Sequence, residues 1–142
     1  MESTVVGTTQ DPYAAARAEL AALRQQVSGV SGCIIAGVDG LLLLHDILGR
    51  NDSEPHDLAA LSAAANGIGR TTAGALRQGE FSECTIRNQR GYFAVYAIGD
   101  LALLAVLGDD GLNVARLHIE ARAATARLLA LLTLAPQPTA FS

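Results

Sequence analysis

Two arginines near the middle of the chain have the type and spacing for chemistry at a phosphate group. Arg70 and Arg77 are seven residues apart in a segment rich in helix formers, so they project from one side of the predicted helix. An arginine supplied by a neighbouring protein can stabilise the charge on a phosphoryl group during its transfer. The same spacing is common on solvated helix faces and at the rims of dimer interfaces. The spacing alone therefore assigns neither arginine a catalytic role.

Other reactive side chains lack the arrangement that catalysis or metal binding needs. Cys33 and Cys84 belong to no CxxC pair and fall in apolar segments, so we predict free, buried thiols. Asp109 and Asp110 are explained by a turn before a helix. The histidines fall on three different predicted elements, at His45, His56 and His118. We predict no catalytic group, no metal site and no cofactor.

The basic residues and the glycine pattern exclude further enzyme classes. All ten basic residues are arginine, so the chain lacks a P-loop lysine, a Schiff-base lysine and a Ser-Lys dyad. No GxSxG motif occurs. Gly67 and Gly69 lack the third glycine and the preceding strand of a dinucleotide-binding motif. The sequence predicts a protein that is not an enzyme and that holds no nucleotide itself.

Charge and hydropathy limit the classes of partner. The 142 residues carry a net charge of −4 without a basic stripe, which argues against nucleic-acid binding. The most apolar window, residues 30–48, is interrupted by Asp39-Gly40 and His45-Asp46, so we expect two strands and a turn rather than a membrane helix. Residues 1–10 have neither the basic nor the apolar region of a signal peptide. A cytoplasmic location is expected.

The first half of the chain predicts one helix and one hairpin after a disordered tail at residues 1–10. Asp11 and Pro12 supply an N-cap and a first-turn proline for a helix over residues 14–26, with Leu20, Leu23 and Val27 on one side. Two apolar strands, over residues 33–38 and 41–46, flank an Asp-Gly turn. Their continuous hydrophobicity predicts a sheet that is covered on both faces.

A second helix is predicted over residues 54–77, with Ser53 as its cap. The face predicted to contact the sheet carries Leu58, Leu61, Ala65, Ile68, Thr72 and Leu76. The opposite face carries Ala60, Ala63, Gly67 and Gly74, with Arg70 and Arg77 to one side. A solvated helix would carry charged residues at such positions, so this outer face is expected to be a contact surface.

The second half predicts a three-stranded meander and a third helix. The strands cover residues 81–87, 92–98 and 101–107, and the polar residues of the first of them are typical of a sheet edge. Asn113 is expected to cap the third helix, in which Arg116 and Glu120 form an i, i+4 pair. Pro136 and Pro138 end the domain. The predicted order is α-β-β-α-β-β-β-α, in one domain over residues 11–135 with a C-terminal tail at 136–142.

This order resembles the roadblock/dynein light chain family. The resemblance covers residues 14–134 and depends on the hairpin at 37–42, the glycines at the end of the second helix and the apolar segment 100–107 before Asn113. It implies a profilin-like α/β (α+β) sandwich, with a five-stranded antiparallel sheet between helices. It also implies a homodimer in which second helices and third strands pair about a two-fold axis. For a bacterial member, the resemblance implies a role as the companion of a small Ras-like GTPase. For other members, it implies a role as an adaptor on dynein or on a lysosomal scaffold.

The resemblance and the residue pattern together predict a dimer or partner interface on the second helix and the third strand. Its expected residues are Ala60, Ala63, Gly67, Arg70, Thr71, Gly74, Arg77, Phe81, Glu83 and Thr85. The alternatives are that a loop of the same chain covers the helix, and that the strand is a charge-protected free edge. The expected function is a homodimeric regulator or adaptor of a small Ras-like GTPase, with GTPase-activating activity as one form. A scaffold that recruits a sensor kinase and a module that senses a small ligand are the alternatives.

Overall fold

The computed structural model describes residues 11–48 and 53–134, so the predicted tails at 1–10 and 136–142 lie outside the described residues. Three helices and five strands follow in the predicted order, and the predicted fold class is confirmed. These elements are α1 (Pro12–Gln26), β1 (Val30–Gly37), β2 (Leu42–Ile47), α2 (Pro55–Ala75), β3 (Glu83–Asn88), β4 (Gly91–Ile98), β5 (Ala102–Asp109) and α3 (Val114–Leu134).

Polar side chains set the starts of the helices. The Asp11 carboxylate accepts from the Tyr13 amide at 3.0 Å, and Asn113 Oδ1 accepts from the Arg116 amide at 3.0 Å, so both predicted caps are confirmed. The cap of α2 is Glu54, one residue after the predicted Ser53. Its carboxylate accepts from the His56 amide at 3.4 Å. An acidic side chain is favourable there because the helix N-terminus carries partial positive charge.

All strand pairs are antiparallel, in the order β2-β1-β5-β4-β3. The central strand β5 and its neighbour β1 are the most buried. The Asp-Gly turn between β1 and β2 has Gly40 at φ +89°, a conformation that glycine adopts without strain. The third strand lies at one edge, as predicted.

Helices cover both faces of the sheet, which confirms the prediction from continuous hydrophobicity. One core lies between the sheet and the pair α1 and α3, and the other lies under α2. The first core includes Leu20, Leu23, Leu104, Val106, Leu117 and Leu128. The second, smaller core includes Ile34, Ala36, Leu58, Val95, Leu103 and Ala105. One helix covers this second face, so part of it is left available for contacts.

The orientation of α2 differs from the prediction. Leu61, Ile68 and Leu76 are predicted to contact the sheet, but all three are exposed, as is Thr72. The residues that face inward are Leu58, Ala59, Ser62, Ala65 and Asn66, of which only Leu58 has a large aliphatic side chain. The prediction failed because it assigned the largest aliphatic residues to the core. Leu61, Ile68 and Leu76 instead point outward.

Candidate functional site

The outer surface of α2 is apolar and open. Leu61 is 56% exposed and Ile68 is 70% exposed, about two turns apart on the same side of the helix. Ala60, Ala64 and Ala75 are also exposed. Large apolar side chains at this exposure, without charged neighbours on the helix face between them, are typical of an interaction surface. The open-helix surface, defined by Leu61, Ala64, Ile68 and Ala75, is therefore a candidate contact site.

The glycines of α2 lie on the flank of that surface. Gly67 and Gly74 are exposed. Apart from the helix itself, no atom of the described residues lies within 4 Å of the position a Cβ would take on either glycine. Ala63 is less open, because it lies close to the β1–β2 turn, where a Cβ on Gly40 would be 3.7 Å from Ala63 Cβ. No described part of the chain therefore covers Gly67 or Gly74.

The two arginines do not share a helix face as predicted. Arg70 and the neighbouring Thr71 are exposed on α2. The helix ends at Ala75, and Arg77 follows it with φ +54°, in the left-handed region. A seven-residue helical spacing therefore does not apply to Arg70 and Arg77. Arg77 belongs to the turn that leads to β3, and the two guanidinium groups are not a helical pair.

Phe81 joins α2 to the strand that follows it. Its ring lies against Gly69, where a Cβ would come within 2.1 Å of Phe81 Cδ1. Only glycine leaves room for the ring at this position. A groove of about 490 Å³ lies between α2 and β3, and Ile68, Cys84 and Ile86 are among the residues that line it. The Gly67-Ile68-Gly69 segment marks this contact in the sequence. The spacing of residues does not show that Phe81 is the side chain that packs against it.

The two predicted site residues on β3, Glu83 and Thr85, lie on the same face of the strand. Glu83 faces α3, where it forms an ion pair with Arg122, whose Nε lies 3.1 Å from both carboxylate oxygens. Hydrogen bonding from Arg122 holds the pKa of the Glu83 carboxyl below its usual value. Thr85 is exposed on the same face of the strand. Arg122 was missed by the sequence analysis, because it lies 39 residues further along the chain.

A second polar contact supports this side of the sheet. The Tyr96 hydroxyl and His118 Nδ1 are 2.8 Å apart, and Tyr96 pairs with Glu83 in the β3–β4 ladder. Burial raises the pKa of the Tyr96 hydroxyl, so it remains protonated. The contact joins His118 of α3 to Tyr96 of β4 and gives His118 a structural role.

The described part of the chain carries no arrangement for metal or thiol chemistry. Within residues 11–48 and 53–134, no group of three or more His, Cys, Asp or Glu side chains could hold a metal ion. Both cysteines are free, and burial raises the pKa of the Cys33 thiol to about 12. Cys84 is half-buried. No helix in the described ranges is long and apolar enough to span a bilayer.

Comparisons with known proteins identify the family. The model of the Roadblock/LC7 domain matches residues 16–108. Uncharacterized proteins MJ1340 and MJ0310 of Methanocaldococcus jannaschii are each 26% identical over 106 residues, 75% of this chain and 90% of each relative.

Solved structures agree with that match. The gliding protein MglB of Thermus thermophilus is 19% identical and has a TM-score of 0.79, over 86% of this chain and 91% of that one. A structure of MglB with tetrameric arrangement gives the same identity and TM-score, over 86% and 90%. A Roadblock/LC7 domain from Streptomyces avermitilis is 19% identical, with a TM-score of 0.75 over 82% of this chain and 97% of that one. The chain thus belongs to the Roadblock/LC7 domain family.

Proposed function

We propose that this chain is a non-enzymatic homodimer that binds a small Ras-like GTPase and modulates its nucleotide cycle. The observation that carries the proposal is the open-helix surface on α2, which lies next to the free edge of β3. Membership of the Roadblock/LC7 family supports it, as does the resemblance to bacterial members that accompany GTPases. A similar MglB structure is described as a tetrameric arrangement, which is consistent with self-association.

The open-helix surface and the free edge of β3 suit an interface with two-fold symmetry. An isologous dimer places the same surface on both sides, so α2 would pack against α2 of the second copy. The flanking Gly67 and Gly74 allow close approach of helix backbones. At the same interface, β3 would pair with β3 of the second copy, which satisfies its outer backbone groups and removes an aggregation-prone edge. Burying Leu61 and Ile68 would contribute about 1.5–3 kcal/mol for each side chain.

The action on the GTPase would be conformational. The chain has no lysine to hold a nucleotide phosphate, and Arg70 and Arg77 are not paired on one helix. A regulator of this kind would bind one arrangement of the switch loops more tightly than the other, and so shift their populations. The scaffold function, in which a sensor kinase or another partner is recruited and hydrolysis does not change, remains the alternative to this proposal.

The proposal is tested by GTP hydrolysis and binding with a Ras-like GTPase from the same genome. We expect binding in at least one nucleotide state and a changed hydrolysis rate when this chain is added in excess. Binding with an unchanged rate would favour the scaffold, and no binding in either state would contradict the proposal. Ile119→Asp is a control for surface charge, because Ile119 is 64% exposed on α3, away from the open-helix surface.

A further inference from the structure

Asn66 is buried on the inner side of α2, and its amide has no hydrogen-bond partner among the described residues. It is 5% exposed, and none of the side-chain hydrogen bonds formed within residues 11–48 and 53–134 involves it. The other buried polar residue of α2, Ser62, donates to the Ala59 carbonyl at 2.8 Å. Buried amides are almost always paired, so an unpaired one requires an explanation.

The Asn66 side chain lines a cavity of about 340 Å³ between α2, the segment before β3 and the β4–β5 turn. Backbone hydrogen bonds hold its walls: the Val38 amide donates to the Leu101 carbonyl at 3.0 Å, and the Ala97 amide donates to the Ser82 carbonyl at 2.9 Å. The cavity stays open because much of its wall is small residues, namely Ala73, Gly74, Gly79, Ala97 and Gly99. Its volume is at the small end of the range for ligand pockets.

The wall carries charges of both signs. Arg70 lies one turn after Asn66 on α2 and takes part in none of the ion pairs of the described residues. Two carboxylates, Glu80 and Asp100, line the same cavity. Phe81 and Leu103 supply apolar wall. A simple anion would meet the two carboxylates, and a simple cation would meet Arg70, so this set of groups favours a ligand that carries both charges.

We propose that this cavity binds a small zwitterion of the α-amino acid class. The carboxylate of the ligand would accept hydrogen bonds from the Arg70 guanidinium and the Asn66 amide, because arginine matches carboxylate geometry. Its ammonium group would face Asp100 and Glu80, and its side chain would lie against the apolar wall. The cavity borders the proposed dimer interface, because Arg70, Gly74 and Phe81 line it and are also expected interface residues, whereas Leu61 and Ile68 do not line it.

The test is calorimetric titration of the full chain with a panel of protein L-amino acids. We expect at least one to bind, and its N-acetyl and amide derivatives, which each lack one charge, to bind at least about tenfold more weakly, since a hydrogen bond to a charged group contributes about 1.5–3 kcal/mol. Arg70→Ala should weaken binding by about ten- to a hundredfold for the same reason. Asn66→Leu, which keeps the branching of the side chain and removes the amide, should also weaken it.

The matched control is Arg90→Ala, which removes an exposed arginine from the β3–β4 turn, outside the cavity. Arg70 is exposed, so its variant is expected to fold, and circular dichroism checks this. The proposal is overturned if no amino acid binds, if Arg70→Ala and Asn66→Leu bind as tightly as the parent chain, or if Arg90→Ala loses binding equally. Failure to bind a GTPase leaves these outcomes unaffected, so the two proposals are tested separately.

Discussion

Asn66 and Ser62 are both buried polar residues on α2, and they differ in whether a described residue forms a hydrogen bond with their side chains. The Ser62 hydroxyl has a carbonyl partner, whereas the Asn66 amide faces a cavity. A buried polar group without a partner costs about 1–3 kcal/mol of stability. Residues that bind a ligand commonly carry such a cost, because a side chain that is optimal for binding is often not optimal for stability.

We expect Asn66→Leu to stabilise the ligand-free chain by about 1–3 kcal/mol, because the substitution removes the unpaired amide and the adjoining cavity has room for the larger side chain. Thermal unfolding measures this as a rise of the midpoint by several degrees, on the order of 2–8 °C per kcal/mol for domains of this size range. Ser62→Ala is the matched control and should not stabilise the chain. A lower midpoint for Asn66→Leu would show that the amide has a stabilising contact.

The ion pair between Glu83 and Arg122 makes the stability of the fold depend on pH, and the direction of that dependence follows from the pKa of Glu83. The hydrogen bonds from Arg122 lower the pKa of Glu83 in the folded chain, so the carboxylate stabilises the fold above the ordinary pKa of glutamate. This contribution is lost as the pH falls through the lowered folded-state pKa. In Arg122→Gln, a carboxyl-detected NMR titration should show the Glu83 pKa returning towards its usual value. An unchanged titration would contradict the ion pair.

At the scale of elements, Gly69 determines how α2 meets the segment before β3. A Cβ at Gly69 would collide with the Phe81 ring, whereas one at Gly74 would meet no described atom outside the helix within 4 Å. Glycine in a helix is otherwise about 1 kcal/mol less favourable than alanine. The same substitution should therefore have opposite effects at the two positions.

Gly69→Ala is expected to lower the free energy of unfolding, because displacing the Phe81 ring costs about 1–3 kcal/mol and exceeds the gain in helix propensity. Gly74→Ala should raise it by about 0.5–1 kcal/mol when both substitutions are compared in the Ile68→Asp chain, where Gly74 makes no dimer contact. Chemical denaturation of both variants measures the difference. Equal stabilisation by the two substitutions would show that Phe81 does not occupy the space beside Gly69.

The elements were predictable from local signals, and the orientation of α2 was not. Asp11, Asn113 and the Asp39-Gly40 turn are short-range features, which a sequence pattern detects directly. The inward side of α2 depends on how the helix packs against the rest of the molecule, and this helix exposes large residues such as Leu61 and Ile68 that a hydrophobicity rule places inside. Contacts distant in sequence, such as Glu83 with Arg122, leave no local pattern.

At the scale of the whole molecule, the open-helix surface and the β3 edge lie side by side. A monomer would expose both to water, with Ile68 at 70% and Leu61 at 56%. A two-fold dimer would bury both at once and extend two five-stranded sheets into one. The chain then presents two copies of every remaining surface, which suits a regulator or an adaptor.

Sedimentation velocity of the parent chain and of Ile68→Asp tests this account most directly, with Ile119→Asp as the control of similar exposure. We expect a dimer for the parent and for Ile119→Asp, and a folded monomer for Ile68→Asp. Losing one buried isoleucine in each of two copies removes about 3–6 kcal/mol, which raises the dissociation constant by about a hundredfold or more. A parent chain that is monomeric, or an Ile68→Asp variant that dimerises as tightly as the parent, would contradict the account.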